Sequence, residues 1–274
     1  MNKDLSQIEF YFPSGEFEDK TEIVDSIVSL MKDRRSINYS GYSDIELLRQ
    51  GLLDHIGNGS IEQYKKISVE QKLEIEKVIS ETIEKCNDKL SVPTKNFIFV
   101  HPYFTTREDE VFGGVMAVAV YSCVFHLFVN LDEYTKKSLE NTVAHELSHT
   151  IYYYHHYDDF NNYTLLAEIL LEGLAENFRE QYFNPEITKW AGALEKEEAF
   201  RILKDLDKNT LESKDQKVIK EFLFGNDKYR RWSGYSTGYW LVKEFINKNK
   251  DISWDELMKT NPKRFIEIVN PSAS

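Results

Sequence analysis

The segment over residues 135–154 constrains this chain most, because it combines helical apolar spacing with the run His145-Glu146-Leu-Ser-His149. Successive residues of an α-helix are offset by about 100°, so side chains four apart lie above one another and both imidazoles project from one side. An apolar stripe follows a different side of the same helix: Leu139, Val143, Leu147 and Ile151. The segment therefore predicts a helix that buries this stripe against a sheet and turns its histidines towards a cleft.

Two imidazoles one helical turn apart are typical ligands of a divalent metal ion, above all zinc. Glu146 directly follows the first histidine, where its carboxylate can take a proton from a water molecule activated by the metal. The pattern predicts His145 and His149 as Zn²⁺ ligands and Glu146 as general base. The alternative is a solvated helix face that carries two histidines, which the amphipathic setting disfavours.

A catalytic zinc site takes a third protein ligand. The helix predicted over residues 164–182 offers Glu168, Glu172 and Glu176, spaced four apart on one face. Glu172 is the first choice because small residues follow it and would let this helix approach the histidine helix closely. Glu168 is the second choice and Glu176 the third. If Glu172 is the ligand, Glu176 can accept a hydrogen bond from a ligand imidazole. Leucine and isoleucine flank the acids, which favours a half-buried face over three solvated glutamates.

His155 is the rival third ligand, six residues after His149. In the metzincin pattern, a glycine between the second and third histidines breaks the helix and swings the last one back. This chain has Tyr152 at that position, and tyrosine does not readily take a positive φ. If the helix continues, His155 is rotated by about 240° from His149. It is therefore the second-choice ligand.

A third group of candidates lies downstream, where Tyr235 and Tyr239 stand near the start of another predicted helix. Gly234 is expected to allow a sharp entry into this helix. A phenol that faces a cleft can donate a hydrogen bond to the oxyanion formed during attack on a carbonyl. Tyr235 is the first choice for this role and Tyr239 the second. Packing residues one turn apart are an equally good interpretation of the two tyrosines.

The order of elements predicts an α+β chain in which helices precede a small sheet and more helices follow it. Apolar periodicity, β-rich runs and turn residues place these elements. Predicted are helices over 22–35, 44–56 and 69–90, a strand over 97–100, a hairpin over 113–121 and 124–130, and mostly helix over 191–268. The sheet thus directly precedes the histidine helix.

Charge and cysteine content exclude several classes of partner. The chain has 274 residues, with 34 basic and 46 acidic side chains and a net charge of −12. Such a surface repels phosphate backbones and anionic lipids, so neither nucleic acid nor a membrane is expected as a partner. Cys86 and Cys123 have no metal-type spacing, and the first residues have no apolar leader. Both features lead us to expect a cytoplasmic protein with reduced thiols.

With these residues in view, the chain resembles the YjaZ-like family of predicted zinc-dependent proteases over about residues 97–246. The matching pieces are Gly113-Gly114 before a strand, residues 138–149, Leu171-Glu-Gly-Leu-Ala-Glu and Gly234-Tyr-x-x-Gly-Tyr. More widely, the chain is similar to the gluzincin metallopeptidases. In that class, the third ligand is a glutamate on the helix after the histidine helix.

The aminopeptidase branch of that class has motifs that correspond to Glu172-Gly-Leu-Ala and Tyr235-Ser-Thr-Gly. The resemblance implies a zincin-like fold, in which the sheet edge at residues 113–119 pairs with extended substrate and a helical lobe follows. The chain departs from the branch in two ways. Glu168, not Glu172, has the branch's distance from the second histidine, and the Gly-x-Met-Glu-Asn signature is absent. An endopeptidase or oligopeptidase is therefore preferred.

Together these features predict a zincin-like α+β protein whose small mixed or antiparallel sheet packs on the histidine helix. Its expected lobes are 1–158 and a mainly helical 159–274, with a cleft between them. Zn²⁺ on His145, His149 and Glu172 would serve hydrolysis of a peptide or protein substrate. The alternatives are a non-catalytic module that binds zinc or peptide, and a metal hydrolase that acts on a non-peptide amide.

Overall fold

The computed structural model describes residues 7–13, 16–33, 45–56, 60–91, 95–102, 113–121, 124–156 and 163–271. Two compact units divide the chain: residues 1–88 with 92–150, and residues 89–91 with 151–274. The predicted helix ends at 34–35 and 44, Cys123 and the lobe boundary at 158 lie outside the described residues. Cys86 is a buried free thiol.

The first unit contains a four-stranded sheet and most of the N-terminal helices. Its strands are β1 (Gln7–Tyr11), β2 (Lys95–Pro102), β3 (Val115–Tyr121) and β4 (Val124–Val129). Its helices are α1 (Lys20–Asp33), α2 (Ile45–His55), α3 (Ser60–Lys66), α4 (Val69–Asn87) and the greater part of α5 (Lys136–His155). The α+β class is as predicted.

The strands lie in the order β1-β2-β4-β3. β1 and β4 flank β2 in parallel, whereas β3 and β4 form the predicted antiparallel hairpin. The sheet is therefore mixed, and β3 is one of its edge strands. β1 and α3 were not predicted: each is short, and β1 pairs with β2 at a distance of 88 residues between Gln7 and Lys95.

An apolar cluster in the first unit covers one face of this sheet. It joins α1, α2 and α3 to the sheet through Ile23, Ile27, Met31, Leu52, Tyr64, Phe97, Phe99, Val124 and Phe128. Polar groups are buried in the same layer. The Tyr64 hydroxyl lies 2.9 Å from Nδ1 of His101, and Nε2 of His101 lies 3.0 Å from Nδ1 of His126. This hydrogen bonding satisfies polar atoms that would otherwise destabilise the core.

Helix α5 begins at a reciprocal cap. The Thr135 hydroxyl accepts from the Ser138 amide at 3.0 Å, and the Ser138 hydroxyl accepts from the Thr135 amide at 2.9 Å. These bonds satisfy amides that the first helical turn leaves without partners. The predicted apolar stripe of α5 is fully buried at Leu139, Val143, Leu147 and Ile151. This burial fixes the rotation of the helix about its own axis.

The second unit is helical. Its elements are the end of α5, α6 (Leu165–Tyr182), α7 (Lys196–Asp205), α8 (Lys208–Leu211), α9 (Gln216–Phe224), α10 (Ser233–Lys248), α11 (Trp254–Lys259) and α12 (Pro262–Ile266). The mostly helical character expected over 191–268 is confirmed. Within the described residues, no helix combines the length and the apolar character needed to cross a bilayer.

Helices α6 and α10 cross at Gly173 and Gly238. A Cβ atom on either glycine would overlap backbone of the facing helix: the Gly238 carbonyl in one case and the Ile169 carbonyl in the other. Only glycine permits such a close approach of the two backbones. Gly173, which follows Glu172, therefore allows α6 to pack against α10.

The sharp entry into α10 lies at Trp232, not at Gly234 as predicted. Trp232 caps the helix in the left-handed region with φ 66° and ψ 21°. Gly234 is needed for a different reason, since a Cβ there would lie 3.0 Å from the Cα of Leu223 on α9. The glycine therefore allows close helix packing, and the strained residue precedes it.

The α6–α10 crossing yields a stability prediction. We expect Gly238→Ala to lower the free energy of unfolding by about 1–3 kcal/mol, because the new methyl group overlaps backbone that cannot easily move. Gly51→Ala on α2 is the matched control: a Cβ there meets nothing within 4 Å, so helix propensity should raise stability by about 0.5–1 kcal/mol. Urea unfolding of both variants measures the difference, and equal stabilities would contradict the assigned contact.

Candidate metal centre

Helix α5 brings His145, Glu146 and His149 together. One ligand atom from each side chain lies within 4.8 Å of the other two. The two imidazole centroids are 4.5 Å apart with an 83° angle between the ring planes. The four-residue spacing thus places both rings on one side of the helix, as the sequence predicts.

Burial prepares His149 for metal binding. Its side chain is only 6% exposed, whereas His145 is half-buried. Burial, and secondly the neighbouring His145, hold the pKa of His149 well below its ordinary value. The ring is therefore neutral, which is the form that donates a lone pair to a metal ion.

Glu146 points to the sheet side of this cluster. It is 6% exposed, and its Oε2 accepts a hydrogen bond of 2.7 Å from the backbone amide of Ala119 on β3. A bond from an amide to a carboxylate is stronger than one between neutral groups. It offsets part of the cost of keeping a charged side chain out of water.

The donor chemistry of the cluster fits zinc. Imidazole nitrogen and carboxylate oxygen are ordinary zinc ligands, and the three side chains can hold a metal ion. On helix α6, two of the candidate carboxylates have little access to water: Glu172 is 7% exposed and Glu168 is half-buried. The predicted half-buried acidic face is thus confirmed, while the assignment of Glu172 as third ligand stays a prediction.

The pKa of the Glu168 carboxyl is affected by its surroundings on this face of α6. Burial, and secondly the charge of Glu172 one turn away, raise its pKa to about 7, although a hydrogen bond from Tyr163 acts in the opposite direction. Two carboxylates held close together away from water destabilise each other. A cation bound beside them would relieve this repulsion.

Glu176 has partners different from those expected. Its Oε1 accepts from the Trp190 indole at 2.9 Å, and its Oε2 accepts from the Thr188 hydroxyl at 2.8 Å. The Arg179 guanidinium forms a buried ion pair with the same carboxylate at 3.2 Å. These contacts join α6 to the segment that follows it, so they give Glu176 a role in packing. Thr188 and Trp190 lie 12 and 14 residues after Glu176. Helical spacing does not predict contacts at that separation.

The structure supports the argument against His155 as a ligand. Helix α5 continues unbroken to this residue, so His155 is rotated by about 240° from His149. Its ring packs edge-on against Tyr154, with centroids 5.2 Å apart. Burial, and secondly Lys259, lower its pKa.

The two candidate tyrosines differ in environment. Tyr239 is fully buried and donates a 3.0 Å hydrogen bond to Glu180, while Lys243 donates to its hydroxyl. These bonds give Tyr239 a packing role. Tyr235 is half-buried in the first turn of α10, and its ring centroid lies 6.2 Å from that of Phe224. Its predicted contact with an oxyanion stays a prediction.

The Ala119 amide is the feature of this centre that the sequence did not predict. Every residue except proline has a backbone N–H group. No side-chain pattern in the sequence therefore shows which of these groups donates to a carboxylate. The β-rich run from Val115 to Tyr121 predicts a strand, but the position of that strand against α5 depends on the folded sheet.

The fold and the cluster together define an α+β protein with a His-Glu-x-x-His helix able to bind a metal ion. A family described as "Predicted Zn-dependent protease (DUF2268)" matches residues 75–267. Because this match covers well over half of the 274 residues, the chain belongs to that family. The resemblance to the YjaZ-like proteases is confirmed, and with it the expectation of zinc.

Two curated proteins share weaker similarity with parts of the chain. A stretch of 151 residues is 24% identical to "Uncharacterized protein YjfC" of Bacillus subtilis (strain 168), over 50% of this chain and 48% of that protein. A stretch of 155 residues is 26% identical to an argininosuccinate lyase of Methanococcus maripaludis, over 52% of this chain and 32% of that protein. The chain thus spans about half of the first relative's length and a third of the second's. No solved structure shows significant similarity.

Proposed function

We propose that the protein is a zinc-dependent metallopeptidase that hydrolyses peptide bonds. The observation that carries this proposal is the cluster of His145, Glu146 and His149 on α5. Two histidines one turn apart and an adjacent carboxylate would provide a metal site and a base in one helical turn. A purely structural zinc site has no need of an acid at Glu146. Membership of a family of predicted zinc-dependent proteases supports the same reading.

We assign the metal ligands to His145, His149 and Glu172. The buried position of Glu172 and the repulsion between it and Glu168 support a cation at this face. Zinc supplies a Lewis acid there, which lowers the pKa of water and polarises a carbonyl group. The arrangement would be zincin-like and of the gluzincin type, with the third ligand on the helix that follows the histidines.

In this proposal, Glu146 is the general base. Its carboxylate takes a proton from the attacking water and returns it to the leaving amine nitrogen. The substrate is a peptide or protein whose extended backbone adds to the β3 edge of the sheet, as strands commonly add to an exposed edge. Tyr235 would donate a hydrogen bond to the oxyanion.

Glu146→Gln tests the base directly. We expect this variant to bind zinc as the wild type does and to cleave a casein or peptide-library substrate about 10²–10⁴-fold more slowly. Glu140→Gln is the matched control on the same helix, because Glu140 forms surface ion pairs with Lys85 at 3.0 Å and Lys136 at 4.0 Å. This control variant should cleave the substrate as the wild type does. Wild-type cleavage must disappear with a chelator and return with zinc. A fully active Glu146→Gln enzyme would contradict the assignment.

The third ligand is tested by metal content. We expect Glu172→Ala to lose stoichiometric zinc, because two imidazoles alone leave the ion incompletely held. Glu168→Ala, one turn earlier on the same helix, should retain it. Zinc is measured by mass spectrometry on protein purified without a histidine tag. If Glu172→Ala keeps zinc and Glu168→Ala loses it, Glu168 is the ligand and our assignment is wrong.

A further inference from the structure

The backbone register of β3 determines which of its amides face outward. The Asn130 amide donates to the Gly114 carbonyl at 2.8 Å, and Val115 lies opposite Val129. In an antiparallel pair, hydrogen-bonded and non-hydrogen-bonded positions alternate. Backbone groups of Gly114, Met116 and Val118 therefore face β4. Those of Val115, Ala117 and Ala119 face the outer edge of the sheet.

The amide of Ala119, the last of these outward positions, is bonded to the Glu146 carboxylate at 2.7 Å. The regular register of the hairpin also ends here, because the pairing shifts between Ala119 and Tyr121. Such an irregularity bends a strand and re-aims its groups. The edge strand thus ends its regular course at the residue that holds the candidate base.

We propose that the Ala119 amide positions Glu146. Because this amide already donates to Glu146, an extended peptide can pair with β3 only before Ala119. This inference rests on the proposed peptidase function. The bond at Oε2 fixes the direction in which the carboxylate faces. An orientation fixed in advance matters because a base about 1 Å out of place can slow catalysis about 10²-fold.

The same bond sets the register of the substrate. An extended peptide that adds to β3 pairs with the outward backbone groups of Val115 and Ala117, which are two residues apart. The next donor in the row, at Ala119, is bound to Glu146, so the ladder cannot extend through it. The peptide bond that lies beyond Ala117 is then the one presented to the base. Residues on one side of the cleaved bond would pair with the edge strand, and those on the other side would not.

An amide-to-ester replacement tests both halves of the proposal with little change in shape. The alanine at 119 or at 117 is replaced by lactic acid through nonsense suppression, which substitutes an ester oxygen for the amide N–H. At 119 we expect kcat to fall about 10- to 100-fold, with KM within twofold of the wild type and zinc retained. At 117 we expect KM to rise and kcat to stay within twofold. A wild-type kcat for the 119 ester, or the same KM effect from both esters, would overturn the proposal.

Amide hydrogen exchange gives a second readout that needs no activity. In metal-free protein labelled with ¹⁵N, the Ala119 amide should exchange at least about tenfold more slowly than in Glu146→Ala, because the carboxylate bond protects it. The Ala117 amide, on the same edge, should exchange equally in both proteins. Equal exchange of Ala119 in both would overturn the positioning contact. If Ala119 is protected but zinc-loaded wild type cleaves no peptide, the proposed function fails while the contact stands.

Discussion

The rotation of α5 about its own axis is the constraint on which the rest of the site depends. His145 and His149 can share one ion because a single turn of helix separates them, and the buried stripe at Leu139, Val143 and Leu147 prevents the helix from turning. The same rotation directs Glu146 towards β3, where the Ala119 amide receives it. Ordinary core packing therefore aligns the histidine pair, the Glu146 carboxylate and the sheet edge.

The three glutamates of α6 show how burial assigns different roles to identical residues at identical spacing. Glu176 is neutralised by Arg179 and bonded by Thr188 and Trp190, which stabilises the helix in its own unit. Burial first, and the charge of Glu172 second, raise the pKa of Glu168 to about 7. Glu172 is buried at 7% exposure, and its role as a metal ligand is a proposal. Helix α6 in turn is held against α10 by the Gly173–Gly238 approach.

Local patterns predicted most of the elements, and long-range contacts explain what was missed. Apolar periodicity located α5 and α6 to within one residue at each end, because a helix repeats over a few residues. β1 was not predicted, since its partner strand lies far along the chain. The hydrogen bonds of Glu176 and the amide of Ala119 were also missed, because each depends on segments that meet only in the folded protein. Gly234 was predicted to allow a sharp turn, but it allows close helix packing. The prediction was wrong because both conditions favour glycine.

X-ray absorption at the zinc K-edge tests the central claim most directly, namely that His145 and His149 hold one zinc ion. Protein loaded with one equivalent of zinc should show a first shell of nitrogen and oxygen at about 2.0–2.2 Å, with the outer-shell scattering of two imidazoles. In His149→Ala, one of the two imidazole contributions should disappear. Failure to bind one equivalent, a sulfur ligand at about 2.3 Å, or an unchanged spectrum in His149→Ala would contradict the account.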